Sequence, residues 1–124
     1  MRWLVDASNV IGSRPDGWWR DREGAARRLI AALERFAEAS GDPVTVVLDG
    51  GPPDLAGRTG ALEVVIAPSS PARRNAADDE IVRLLEASGT AGGVRVATSD
   101  RELAERVRAL GAEVDGARTF RERL

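Results

Sequence analysis

Five aspartates carry most of the chemistry open to this chain: Asp6, Asp49, Asp78, Asp79 and Asp100. The 124 residues include no histidine and no cysteine. Imidazole bases, Ser-His-Asp triads, disulfides and thiolate or His-ligated metal sites are therefore excluded. Carboxylates, hydroxyls, amides and arginine remain. Several carboxylates in one cleft raise each other's pKa. A divalent cation removes that conflict, and Mg²⁺ or Mn²⁺ takes oxygen ligands in octahedral geometry while keeping several waters. Such a site can activate a water and shield a phosphate. Two ions roughly 4 Å apart can clamp both sides of an in-line displacement.

The acids can act together only if the fold gathers them. Arg2 to Val5 reads as a buried strand that runs into Asp6, an expensive residue to bury without a partner. Asn9 to Arg20 reads as a loop with a Pro15-Asp16-Gly17 turn. From about Asp21 to Ser40, Ala26, Leu29, Ile30, Leu33, Phe36 and Ala37 recur at helical steps, and Gly41-Asp42-Pro43 ends the pattern. Val44 to Leu48 is a β-branched strand ending in Asp49-Gly50. Pro52 to Gly60 has no clear helix, and a third strand covers Leu62 to Ala67. A second helix covers about Asn75 to Ala87, a fourth strand Val94 to Thr98, and a third helix Asp100 to about Leu110. Glu113 to Asp115 is a short fifth strand, and Ala117 to Leu124 has helical character. This alternation predicts one α/β domain over residues 1–124, with a central, mainly parallel five-stranded sheet flanked by helices.

In open parallel sheets, ligands bind beyond the carboxyl ends of the strands. Asp6, Asp49 and Asp100 follow the first, second and fourth strands, and Asp78 and Asp79 open the helix after the third. On a wheel of about 100° per residue, Asp78 lies about 40° from the centre of the Ile81, Val82, Leu84 and Leu85 face, and Asp79 about 140°. Asp78 should therefore look toward the sheet and Asp79 toward solvent. Each acid also has a purely structural reading. Ser99 and Glu102 make a capping box around Asp100, Asp78 and Asp79 suit a helix N-terminus, and Asp49-Gly50 is a turn dipeptide. Asp6 has no such duty as a strand-end residue.

The formal net charge of −2 argues against coating nucleic acid by bulk charge, but not against a local basic rim. Every basic side chain is arginine. No basic-then-apolar leader opens the chain and no apolar run approaches a membrane span, so a soluble cytoplasmic protein is expected, with no membrane partner.

Asp6-Ala7-Ser8-Asn9-Val10-Ile11, Val46-Val47-Leu48-Asp49-Gly50, Ala77-Asp78-Asp79-Glu80-Ile81 and Ala97-Thr98-Ser99-Asp100-Arg101-Glu102-Leu103, in that order, resemble the NYN domain family. That family lies within the PIN-like nucleases, and the YacP-like branch is the nearest likeness. The resemblance implies a three-layer α/β domain and metal-dependent cleavage of RNA phosphodiesters, with Mg²⁺ or Mn²⁺ as cofactor. It implies that Asp6, Asp78 and Asp100 bind metal, with Asp79 beside Asp78 and Asp49 in a less defined ligand role. It also implies that Asn9 and Ser99 orient a ligand or contact substrate.

Arg14, Arg20 and Arg22, with Trp18 and Trp19 among them, follow the first strand; Arg73 and Arg74 precede the second helix; Arg101 follows Asp100. These arginines are candidates for a rim that grips RNA phosphates. The tryptophans suit either stacking on unpaired bases or packing over the first helix or a homodimer contact. The reading is an RNA-cleaving, endonucleolytic hydrolase acting on single-stranded RNA. One rival is a non-catalytic RNA- or ribosome-binding module of the same fold. Another is a metal-dependent phosphohydrolase, against which Ser8 stands where an aspartyl phosphatase places its second acid. No GxxxxGK[ST] motif is present.

Overall fold

The structure, a computed structural model, describes residues 1–68, 76–89 and 92–124. The order is β1 (Arg2–Asp6), α1 (Ala7–Gly12), a 3₁₀ turn (Trp18–Arg20), α2 (Arg22–Ser40) and β2 (Val44–Leu48). A second 3₁₀ turn (Pro53–Leu55) leads to β3 (Gly57–Thr59) and β4 (Leu62–Ile66). Then come α3 (Ala76–Ala87), β5 (Val94–Ala97), α4 (Arg101–Ala109), β6 (Glu113–Asp115) and α5 (Ala117–Glu122). The sheet has six strands in the order β3-β4-β2-β1-β5-β6, parallel except for β3.

The expected α/β layers are present, with two differences. The stretch from Pro52 to Gly60 supplies a sixth strand, antiparallel to β4. Its three residues are all exposed, so it carries no apolar signature. The region read as a loop after β1 begins as a helix directly at Asp6. Asp6 therefore occupies an N-cap position after all, although its carboxylate makes no capping hydrogen bond.

Both faces of the sheet are covered, as continuous apolar strands require. On one face, Val5, Val46 and Leu48 pack with Leu29 and Leu33 of α2 and Phe120 of α5. On the other, Leu4, Val47 and Val96 pack with Ile81 and Leu85 of α3 and Leu103 and Val107 of α4. The chain steps from β1 out to β2 and β4, then α3 returns it across the sheet to β5 and β6. The direction thus reverses beside β1, and the carboxyl ends of β1 and β5 face the crevice that such a reversal creates.

Short-range chemistry places the helices. Asp21 caps α2 by accepting from the Gly24 N–H at 2.9 Å, and Gly41, at φ 75°, ends it in a left-handed turn. Trp3, Phe36 and Phe120 form a ring cluster with centroids 4.9 to 5.8 Å apart, tying β1, α2 and α5 together. The Arg121 guanidinium donates to the Val10 and Ile11 carbonyls at the end of α1, at 2.9 and 3.1 Å, and pairs with Asp16.

Candidate active site

Asp6 ends the central strand and is 2% exposed. Burying a carboxylate there requires donors, and two reach its Oδ2. The Thr98 hydroxyl and the Asn9 side-chain amide each donate at 2.9 Å. Burial still dominates and pushes the Asp6 pKa above its ordinary value, against the pull of the Thr98 and Asn9 hydrogen bonds, with the Asp100 charge pushing the same way as burial.

The donors are themselves held. Thr98, buried at the end of β5, also accepts the Asp100 N–H at 3.1 Å, so one hydroxyl links two acids. Asn9 accepts the Ser99 N–H on its side-chain oxygen at 3.1 Å, which turns its nitrogen toward Asp6. Ser99 accepts the Ala117 N–H at 2.9 Å and so fixes the start of α5. Asp100, rather than Ser99, caps α4, accepting the Leu103 N–H at 3.0 Å. The expected Ser99–Glu102 capping box does not form, because α4 starts one residue later, with Asp100 in the N-cap position, and the Ser99 hydroxyl turns instead to the Ala117 N–H.

Asp78, in the first turn of α3, is half-buried. Its pKa is pushed up to about 7. Burial is the largest cause, followed by the charges of Asp6 and Asp100 and by a hydrogen bond with Asp100; the Arg106 guanidinium pulls the other way. Asp6, Asp78 and Asp100 therefore share one electrostatic environment at the carboxyl ends of β1 and β5. Among the described residues, no three acidic side chains stand close enough to form a ready-made metal cage.

The other candidates lie elsewhere. Asp79 turns away and pairs with Arg106 at 3.0 Å. Asp49 is exposed, and it lines a cleft on the α2 side with Ala7 and Ser8. Neither acid appears among the charges acting on Asp6 or Asp78. Arg101 is exposed at the first position of α4, and Arg20 is exposed at the end of its 3₁₀ turn. Arg73 and Arg74 lie outside the described residues. Thr98 and Arg106 are the residues that sequence reasoning missed. A hydroxyl ending a core strand two positions before an acid is the signal that could have found Thr98.

Comparison with known proteins agrees with this architecture. A crystal structure of Rae1 (YacP) from Bacillus subtilis is 27% identical with a TM-score of 0.79, and the match covers 99% of this chain and 73% of that one. The W164L mutant of the same protein gives 28% identity and a TM-score of 0.75, with coverage of 99% and 75%. No curated protein sequence matches the chain. The YacP-like NYN domain model matches residues 3–124. The chain therefore belongs to the YacP-like NYN domain family, whose members are in general nucleases that act on RNA.

Proposed function

We propose that this protein is a divalent-cation-dependent ribonuclease that hydrolyses internal phosphodiester bonds of single-stranded RNA. The observation that carries this reading is the placing of Asp6, Asp78 and Asp100 at the reversal of the sheet, where burial first, and then the charges of Asp6 and Asp100, push the Asp78 pKa up to about 7. The three do not form a ready-made cage, but carboxylates that repel one another at one edge of a sheet are suited to a hard cation, and Mg²⁺ or Mn²⁺ keeps several waters and needs few protein ligands. Bound there, such an ion supplies positive charge toward a phosphate and lowers the pKa of water.

The chain's own residues do the rest. Asn9 and Thr98 hold the Asp6 carboxylate in place. Asp100 is fixed from two sides, by its own N–H on Thr98 and by its carboxylate on Leu103 N–H. Arg106 keeps Asp79 out of the cleft. Arg101 and Arg20 offer exposed guanidinium groups to RNA phosphates. Asp49 has no place in this ligand set.

The test is incubation of purified protein with labelled RNA in Mg²⁺, Mn²⁺ or chelator, with Asp6→Asn and Asp78→Asn beside it. Cleavage should need the metal and fall at least about a hundredfold in either variant. RNA binding with no cleavage under any metal would replace the nuclease with a binding module. Cleavage persisting in both variants would remove these acids from the chemistry.

A further inference from the structure

A second feature lies next to the acids, and the reaction above makes no use of it. A cleft of about 430 Å³ opens between α1, the start of α2 and the turn after β2. Its floor is apolar, from Ala7, Ile11, Ala26, Leu48 and Leu55. One wall is Trp18, with the Arg22 guanidinium 5.6 Å from its ring centroid. Two carboxylates stand in the lining: Glu23, paired with Arg27 at 3.2 Å, and Asp49, which is exposed and makes no ion pair among the described residues. Ala7 and Ser8 of the lining follow Asp6 directly, so the cleft and that acid share the same turn of chain.

We propose that this cleft is a base-binding subsite, which takes an unstacked nucleobase from beside the scissile phosphate and favours cytosine over uracil. This rests on the ribonuclease reading. Unpaired bases stack on aromatic rings and on guanidinium planes, and the Trp18–Arg22 pair offers both while its positive charge suits the flanking phosphates. The apolar floor takes a base face out of water. An ionised carboxylate only accepts hydrogen bonds. Set against position 4 of the ring rather than against N3, where uracil carries a donor, Asp49 suits the exocyclic amine of cytosine and opposes the carbonyl of uracil. This gives Asp49 a role in reading the base instead of holding metal.

Intrinsic tryptophan fluorescence, titrated with cytidine and uridine RNA hexamers in chelator, tests this without any cleavage. The two hexamers differ only at the pyrimidine edge. Cytidine should bind at least about fivefold more tightly than uridine. Arg22→Ala and Trp18→Ala should each weaken binding of both hexamers about fivefold or more. Asp49→Asn should erase the preference, and it needs no repacking of the core. Circular dichroism checks that each variant folds. Equal affinity for the two hexamers, or a preference that survives Asp49→Asn, overturns the proposal. Binding unaffected by Arg22→Ala does the same. Discrimination by a protein that cuts no RNA would sink the nuclease reading and leave the subsite. Cleavage with no discrimination would do the reverse.

Discussion

At the scale of single residues, the site is a chain of side chains that hold other side chains. Thr98 is its junction, since one hydroxyl serves both Asp6 and the Asp100 N–H. Thr98→Val keeps the shape and removes both bonds. It should cost about 1–3 kcal/mol, read by urea unfolding, and raise the Asp6 pKa further, read by carboxyl NMR. Asp78 gives a second prediction, with a defined sign. Its folded pKa lies above the ordinary 3.8, at about 7, so the native state holds a proton that the unfolded chain releases. That contribution is complete below about pH 4 and is lost as pH rises through 7. Half-exposure of the side chain keeps it modest. In chelator, Asp78→Asn should gain thermal stability relative to wild type as pH rises from 5 to 8. A constant difference across that range would contradict the raised pKa. Asp6 was legible in sequence because a carboxylate ending an apolar strand has few structural uses, and the helical wheel separated Asp78 from Asp79. Thr98 was harder to read, because its contact with Asp6 spans 92 positions and only its place two residues before Asp100 hints at it.

At the scale of elements, the strands were plain and the small pieces were not. Val44–Leu48 is buried at every position, and a β-branched run of that kind has few other homes. Gly57–Thr59 is exposed throughout, so only its pairing with β4 makes it a strand. The six residues of α1 are too few to show a period. That helix matters because it carries Asn9 and leads into the cleft lined by Ser8 and Ile11. Its last carbonyls are closed by Arg121, from the far end of the chain. Cationic donors at a helix C-terminus are favourable both as hydrogen bonds and against the helix dipole. Arg121→Ala should therefore destabilise the fold by about 2 kcal/mol in urea unfolding. On the ribonuclease reading it should also lower RNA cleavage more than RNA binding, because Asn9 loses its footing while Arg20 and Arg101 stay exposed. Equal losses in both would mean that α1 does not position the acids.

For the molecule as a whole, the three acids come from segments that only the finished sheet brings together. A cation bound there is linked to folding. Mg²⁺ or Mn²⁺ should raise the melting temperature with concentration, by the equivalent of about 2.7 kcal/mol at a hundred times Kd. Asp6→Asn should abolish the rise, and a melting temperature indifferent to either ion would argue against the site. No helix among the described residues is long and apolar enough to cross a membrane. The central position of β1 has one more consequence, for how the protein is made. That strand is bounded on one side by residues 44–47 and on the other by residues 94–97, both synthesised after it. Its aspartate therefore waits for the Thr98 hydroxyl until about three-quarters of the chain has followed. Pairing over such separations is slow, and the N-terminal part has no complete sheet to fold into by itself. A nascent chain stopped before Val94 should be protease-sensitive and unable to cut RNA.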